Sequence, residues 1–348
     1  MNINNKHPKP LFMMPLRRCG SHALRLRLNF NPEFYSPYPL HIVDIIDVVK
    51  LYGDLNNDTN YFQLIMDLIG LQNATMVKWK GITLDPVTIF EAIREHPRNI
   101  HRIVWEMLFQ AGKHFQATVV MDKSLDSVHY AEEFVHLFDD IRFLNIVRDP
   151  RAQVNSMNKA IIYDFDTLLN TTRWIKAHAA ARSLIQKYPE KVLTIRFEDF
   201  ISDQATVLRK ICSFVGIEFS DTMLEISQSE EAKNLSQMSA LWESNGFDPI
   251  SANVNKFKQS LTMDEIAIIE TLTTDYMDLY GYEKLTPAHA HINDALFQEA
   301  HQKSTVKRQQ AWEQLAKEKF YDYMLRKFRN DYIQCVKSRL LKKSAVTE

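Results

Sequence analysis

LFMMPLRRCGSHALRLRL, Leu11 to Leu28, is the stretch on which the reading of this chain turns. Four apolar residues, Leu11 to Met14, predict a short buried strand, and Ala23, Leu24, Leu26 and Leu28 predict a helix packed on it. The turn between them is polar and basic. Arg17, Arg18, Arg25 and Arg27 fall within eleven residues, with no acid before Glu33. Gly20 lets the backbone turn tightly, and Ser21 can cap the helix. A helix N-terminus offers free N–H groups and a partial positive charge, so this turn suits an anion such as phosphate. The alternative is an ordinary strand-to-helix turn with solvated arginines, and the Walker pattern GxxxxGK[ST] is absent.

Composition sets the bounds. At 348 residues the chain can form one large domain or two modest ones. Its 42 basic and 43 acidic residues give a net charge of −1, which argues against a wholly basic nucleic-acid binder but allows a local basic site. Charge is unevenly spread: Lys303 to Lys343 hold twelve Lys/Arg and four Asp/Glu, a net +8, so the rest of the chain carries −9. Cys19, Cys212 and Cys335 are far apart, offering neither a disulfide framework nor a zinc spacing, and the expected location is cytoplasmic. The apolar run Leu11 to Leu16 is too short for a signal peptide or a membrane span.

After the opening turn, Asn29 to His41 is aromatic and proline-rich and reads as extended chain returning across the mouth of the anion site. Residues 42–115 carry apolar residues at helical spacing, as in Ile42, Ile45, Ile46 and Val49, and read as a helical insert that shapes a pocket. A β-branched strand then ends at Asp122, Lys123 and Ser124. Ile141 to Val147 is a second buried-strand run, followed by Arg148, Asp149, Pro150 and Arg151 and by a helix from Ala152 that carries Ser156. Ligands of parallel α/β sheets bind at such strand ends. A helix over Phe165 to Tyr188, a strand over Val192 to Arg196, and helices over Gln204 to Val215 and Thr222 to Ser227 follow. Ser229 to Asn255, with Trp242 and Phe247, reads as a long loop. Thr262 to Tyr280 predicts a helix capped by Thr262 and stopped by Gly281. Trp312, Leu315, Phe320, Tyr323, Met324, Phe328 and Tyr332 space out as one amphipathic helix among basic residues, suited to packing on the core, on a second subunit as a homodimer, or on an anionic membrane as a peripheral contact. The organisation expected is an α/β domain over 1–285 and a basic helical extension over 286–348.

Together these pieces resemble the sulfotransferases that use 3′-phosphoadenosine 5′-phosphosulfate (PAPS), with the protein-tyrosine and carbohydrate branches closer than the small aryl branch. The resemblance covers roughly Leu11 to Tyr282. Arg18-Cys19-Gly20-Ser21-His22 stands where the family has its PRSGTT-type loop for the 5′-phosphosulfate, and Arg17 precedes it. Val147-Arg148-Asp149-Pro150-Arg151 with Ser156 stands where the family binds the 3′-phosphate. Asp122-Lys123-Ser124 and Phe197-Glu198-Asp199-Phe200 stand for two further family elements. His22 replaces the second threonine of the loop, and Tyr38, Pro39 and Leu40 stand where several branches carry a carboxylate base.

The resemblance implies a P-loop-like three-layer α/β/α core with a parallel sheet, and PAPS as co-substrate without a metal. The acceptor is a small molecule, glycan or peptide bearing a hydroxyl or amine. Cofactor-binding residues are then Arg17, Arg18, Cys19, Gly20, Ser21, His22, Arg148, Ser156 and Lys256. Arg18 and Lys123 hold the leaving oxygens, and His41 is the candidate base. Its position at the end of the proline-rich return and an ordinary imidazole pKa of about 6.5 suit that role. Two rivals are a P-loop kinase or NTPase, in which Asp122 or Asp149 would hold Mg²⁺, and an inactive module that binds 3′,5′-ADP without turnover.

Overall fold

Strand β1 (Lys9–Met14) is apolar from Pro10 onward, and it lies at the centre of a sheet buried on both faces. The computed structural model describes residues 7–225, 229–238, 254–287 and 289–347. Within them five parallel strands run in the order β2 (Phe34–Tyr35), β3 (Val119–Asp122), β1, β4 (Arg142–Val147), β5 (Val192–Arg196). Alternate side chains enter opposite cores. Phe12 and Met14 join Val120 and Phe143 on one side, while Leu11 and Met13 join Val119, Met121 and Leu144 on the other.

Helix α1 (Ser21–Leu28) packs Leu24 and Leu28 into the second core. The first core is covered by α2 (Asp58–Ala74), α3 (Pro86–Ile93), α4 (Ile100–His114) and α5 (Ala131–Leu137), the first three of which fill the expected helical stretch between β2 and β3. Then come α6 (Pro150–Met157), α7 (Thr167–Lys187), α8 (Phe197–Ser202) and α9 (Gln204–Val215). They are followed by α10 (Glu230–Met238), α11 (Phe257–Ser260), α12 (Met263–Tyr280), α13 (Asp294–Glu318) and α14 (Phe320–Thr347). Thr262 and Glu265 form a full capping box on α12, and Gly281 ends it with φ 72°.

Several expectations need correction. Gly20, not Ser21, is the N-cap of α1, and no side chain caps that helix. Arg25 and Arg27 are not solvated; they are fully buried tethers. Arg25 donates to Ser36 O at 2.7 Å and pairs with Glu231, and Arg27 donates to Gln204 Oε1 at 2.5 Å. The stretch read as a loop after Ser229 begins with α10, whereas Trp242, Phe247 and the rest of 239–253 lie outside the described residues. The helix expected over Thr222 to Ser227 is a short 3₁₀ turn over Asp221–Leu224, with 226–228 outside the described residues. The single C-terminal helix is two, broken at Lys319.

The second of these, α14, rests on the body of the protein. Ile333, Val336 and Leu340 are buried in the first core, and Tyr332 Oη donates to Asp67 O at 2.9 Å. Asp67 also accepts from Tyr52 Oη at 2.7 Å and pairs with Arg339. Among the described residues no helix is long and apolar enough to cross a membrane.

Strand order decides where a ligand can sit. From β1 the chain winds first toward β2 and β3 and later toward β4 and β5, so the winding reverses at β1. The carboxyl ends of β3, β1 and β4 lie side by side there, which is where open α/β sheets bind ligands.

Candidate functional site

Three polar segments emerge at that edge: 15–22 after β1, 122–124 after β3 and 148–151 after β4. The first is shaped by two left-handed residues, Arg18 with φ 72° and Gly20 with φ 88°. A Cβ on Gly20 would lie 2.1 Å from Cε2 of Phe197, so glycine is required both by conformation and by the closeness of that ring. An arginine in the left-handed region is a local strain that the surroundings must hold. They do so from both sides, since Arg18 Nε donates to Ser156 Oγ at 3.0 Å and Arg148 Nη1 donates to Arg18 O at 2.8 Å. Arg148 lies over the Phe197 ring at 4.7 Å, the same ring that abuts Gly20. The two anion-binding motifs read separately in the sequence are therefore one hydrogen-bonded unit.

Gln153 braces this unit from behind. It is fully buried on α6, one turn before Ser156; its Nε2 donates to Arg17 O at 3.0 Å and Leu16 O at 3.3 Å, and its Oε1 accepts from Trp174 Nε1 at 2.9 Å. Three loop and indole groups are thus satisfied by one amide. Asp149 caps α6 and is held in a buried ion-pair chain with Arg151 and Glu270, so it faces the protein rather than a ligand. Glu198 Oε1 accepts from Asp149 N at 3.0 Å and its Oε2 from Tyr282 Oη at 2.8 Å, pinning the turn after β4.

Lys123 is 1 % exposed, and its Nζ lies 3.2 Å from His22 Nε2. Burial, aided by the Arg25 charge, brings its ammonium down to about 7. Burial and the Arg148 charge bring Arg18 down to about 10, and burial lowers Arg148. His22 is held well below the usual imidazole range by burial and by Lys123. Burial is the leading cause in all four, and neighbouring cations add to it at Lys123, Arg18 and His22 but not at Arg148, where nearby acids oppose the shift.

A cleft of ≈ 380 Å³ opens beside them, lined by Arg17, Arg18, Ser21, His22, Tyr38 and His41. Arg17 is paired with Asp126 and lies over the Tyr163 ring at 5.5 Å. Tyr38 stacks on His22 at 5.9 Å and meets His41 edge-on at 6.0 Å. His41 has φ 52°, its carbonyl accepts from Arg329 Nη2 at 3.2 Å, and its Nδ1 is buried without a hydrogen-bond partner. Its pKa is not the ordinary 6.5 expected: burial, then the charges of Arg17 and Lys123, hold it well below that value. Cys19 is buried, and burial raises its thiol pKa, so it serves packing and offers its backbone to the loop.

Of the residues singled out in the sequence, Arg17, Arg18, Ser21, His22 and His41 line the cleft, whereas Lys123, Arg148 and Ser156 do not line it and join it through His22 and Arg18. Lys256 does not line the cleft; it is exposed just before α11, where the following Phe257 packs beneath Arg151 at 4.9 Å. Gln153, Glu198 as a hinge of the turn, and the α13–α14 residues of the cleft escaped the sequence reading. For Gln153 a signal existed, since it lies three residues before Ser156 and so shares its helix face. Among the described residues no three His, Cys, Asp or Glu side chains gather where they could hold a metal ion.

Comparison with known proteins bears on this arrangement. A family model described as "Sulfotransferase family" matches residues 10–221, more than half of the chain. Among solved structures, the sulfotransferase domain from the Synechococcus PCC 7002 olefin synthase is similar, with 21 % identity and a TM-score of 0.54 over 81 % of this chain and 98 % of that one. A sulfotransferase domain from the curacin biosynthetic pathway is similar at 17 % identity and a TM-score of 0.53, over 80 % of this chain and 99 % of its own. These two likenesses speak for the fold, and the family match spans the strands whose ends carry the basic loop, Lys123 and Arg148. The chain belongs to the sulfotransferase family.

Proposed function

We propose that the protein transfers the sulfuryl group of PAPS to a hydroxyl or amine of an acceptor, by in-line displacement, leaving 3′,5′-ADP. The observation that carries this reading is the Arg18–Ser156 hydrogen bond, reinforced by Arg148 on the Arg18 carbonyl, which joins a phosphosulfate-type loop to a 3′-phosphate-type pair. A donor with two separate anionic groups fits such a double site. The residues present fit it in a second way. Buried cations held below their ordinary pKa regain it when an anion arrives, so the cluster around Arg18, Lys123 and Arg148 is poised for a polyanion.

PAPS supplies an activated sulfuryl group; the protein supplies position and charge. The N–H groups opening α1 and the Arg18 guanidinium would hold the phosphosulfate, with Arg148 and Ser156 on the 3′-phosphate. Lys123 and Arg18 would meet the negative charge that grows on the leaving oxygens. His41, neutral at pH 7 because burial disfavours its cation, would take the acceptor proton. In balance, the acceptor oxygen or nitrogen gains a bond to sulfur, the bond from sulfur to the phosphate oxygen breaks, and its electron pair leaves with 3′,5′-ADP. The free thiols, two of them buried, support a reducing, cytoplasmic setting.

The test is transfer of radiolabelled sulfuryl from PAPS in magnesium-free buffer across a panel of acceptors, beside ATP with Mg²⁺. Label in an acceptor without Mg²⁺ is the expected result. Phosphoryl transfer from ATP would instead favour a kinase, and 3′,5′-ADP binding without transfer to any acceptor would favour an inactive binding module.

A further inference from the structure

We propose that the C-terminal helix pair α13–α14 reads the acceptor, and that the acceptor is an uncharged, polyhydroxylated ring compound. This rests on the sulfotransferase reading above. The cleft that Arg18, Ser21 and His22 line is completed by Trp312 of α13 and by Arg326, Arg329, Asn330, Ile333 and Gln334 of α14. All six lie outside residues 10–221, the part of the chain that matches the family model.

The charges on the wall are already met. Arg326 Nε donates to Asp322 at 2.8 Å, Arg329 donates to Asp44 at 2.7 Å and to Leu40 O at 2.9 Å, and Arg17 is paired with Asp126. At Arg326 and Arg17 an anionic acceptor group would have to displace Asp322 or Asp126 from a largely buried pair and leave that carboxylate stranded, and at Arg329 it would compete with the exposed Asp44. What remains to read an acceptor is neutral. The half-buried indole of Trp312 meets Tyr323 edge-on, centroids 6.0 Å apart, and the exposed amides of Asn330 and Gln334 line the same cleft further along α14. An aromatic ring and amides that both donate and accept, lining one cleft, suit a ring compound with an apolar face and hydroxyls around its rim. A volume of ≈ 380 Å³ falls within the usual size of small-ligand clefts.

The test uses the full chain saturated with 3′,5′-ADP for binding, and with PAPS for transfer. The probes are neutral methyl glycosides, the matching uronic acid glycosides, simple phenols and primary amines. Neutral glycosides are expected to bind and to take label in preference to the others. Trp312→Ala should raise their KM roughly tenfold and Gln334→Ala a few-fold, with kcat and 3′,5′-ADP affinity within about twofold; Trp312→Phe should restore most of the loss. Gln334 is exposed, so its variant remains a fair test if Trp312→Ala fails to fold. Preferential labelling of uronates, phenols or amines overturns the proposal, as does an unmoved KM in both variants. A wild type that binds 3′,5′-ADP but no neutral glycoside removes this proposal alone, whereas one that binds neither also removes the reading of the donor site.

Discussion

Lys123 shows how burial turns an ordinary side chain into a pH-sensitive one. With its pKa near 7 in the free protein, it is largely neutral at pH 8, and an anion beside it raises the pKa again. Binding of 3′,5′-ADP should therefore take up a proton above pH 7. Its affinity should be steady below pH 7 and fall by up to about tenfold per pH unit above it, until the bound-state pKa is passed. Calorimetry across buffers of different ionisation enthalpy measures the uptake, and Lys123→Arg should flatten the pH dependence. His41 gives the opposite window. A base must be neutral to work, so its lowered pKa keeps kcat level from pH 8 to about 6.5, with the fall coming only at lower pH. His41→Ala should lower kcat by about 10²–10⁴ and change 3′,5′-ADP affinity only a few-fold; an unchanged kcat would exclude it as the base. At the second anion site, Arg148→Ala should cost on the order of 2–5 kcal/mol of 3′,5′-ADP affinity and erase the preference over AMP, while Ser156→Ala should cost about 1 kcal/mol. Thermal shifts with the two nucleotides read both outcomes.

At the scale of elements, the turn between β1 and α1 depends on a residue without a side chain. Gly20→Ala would keep an alanine at φ 88° and drive its Cβ into Phe197, which also supports Arg148. A loss of about 1–3 kcal/mol of stability is expected, together with weaker 3′,5′-ADP binding, because the displaced ring disturbs both of the proposed anion sites. Urea melts and nucleotide titration of the variant check the two effects. The C-terminal helices make a larger contribution. Truncation after Thr286 removes Ile333, Val336 and Leu340 from the first core, each worth about 1.5–3 kcal/mol when buried. Their sum is comparable with the whole stability of many proteins, roughly 5–15 kcal/mol. The truncated chain should melt lower and aggregate, as circular dichroism and sedimentation would report.

At the scale of the molecule, the apolar runs of the chain were enough to place four of the five strands. Leu11 to Met14 and Ile141 to Val147 read as buried strands because a parallel sheet covered on both faces demands unbroken apolar runs, and Val192 to Arg196 read as a strand that proves to be a half-buried edge. Thr262 and Gly281 marked the ends of α12 because capping chemistry is local. The edge strand Phe34–Tyr35 was not legible, since two residues carry no period, and it pairs only because β3 lies beside it. The loop Arg18-Cys19-Gly20-Ser21 was open in the sequence between an anion site and an ordinary turn, and Arg148 and Ser156 gained a phosphate role only through the family resemblance; their hydrogen bonding to one another's segments was not legible. That Arg25 and Arg27 are buried tethers was not, for an arginine's charge is in the sequence but its partners, Ser36, Glu231 and Gln204, are distant along it. Strand order alone brings the ends of β3, β1 and β4 together, residues 122–124 lying a hundred positions from the loop. Buried strands, amphipathic helices and basic turns at strand ends can be read from the chain because they depend on neighbours a few residues apart, whereas the parallel sheet was an expectation of the family resemblance. It takes the folded chain to bring the Lys123 ammonium down to about 7, to hold His41 well below the usual imidazole range, and to line the cleft with a helix pair from the far end of the sequence. Each of these depends on burial and on charges supplied by segments that meet only when the sheet is wound.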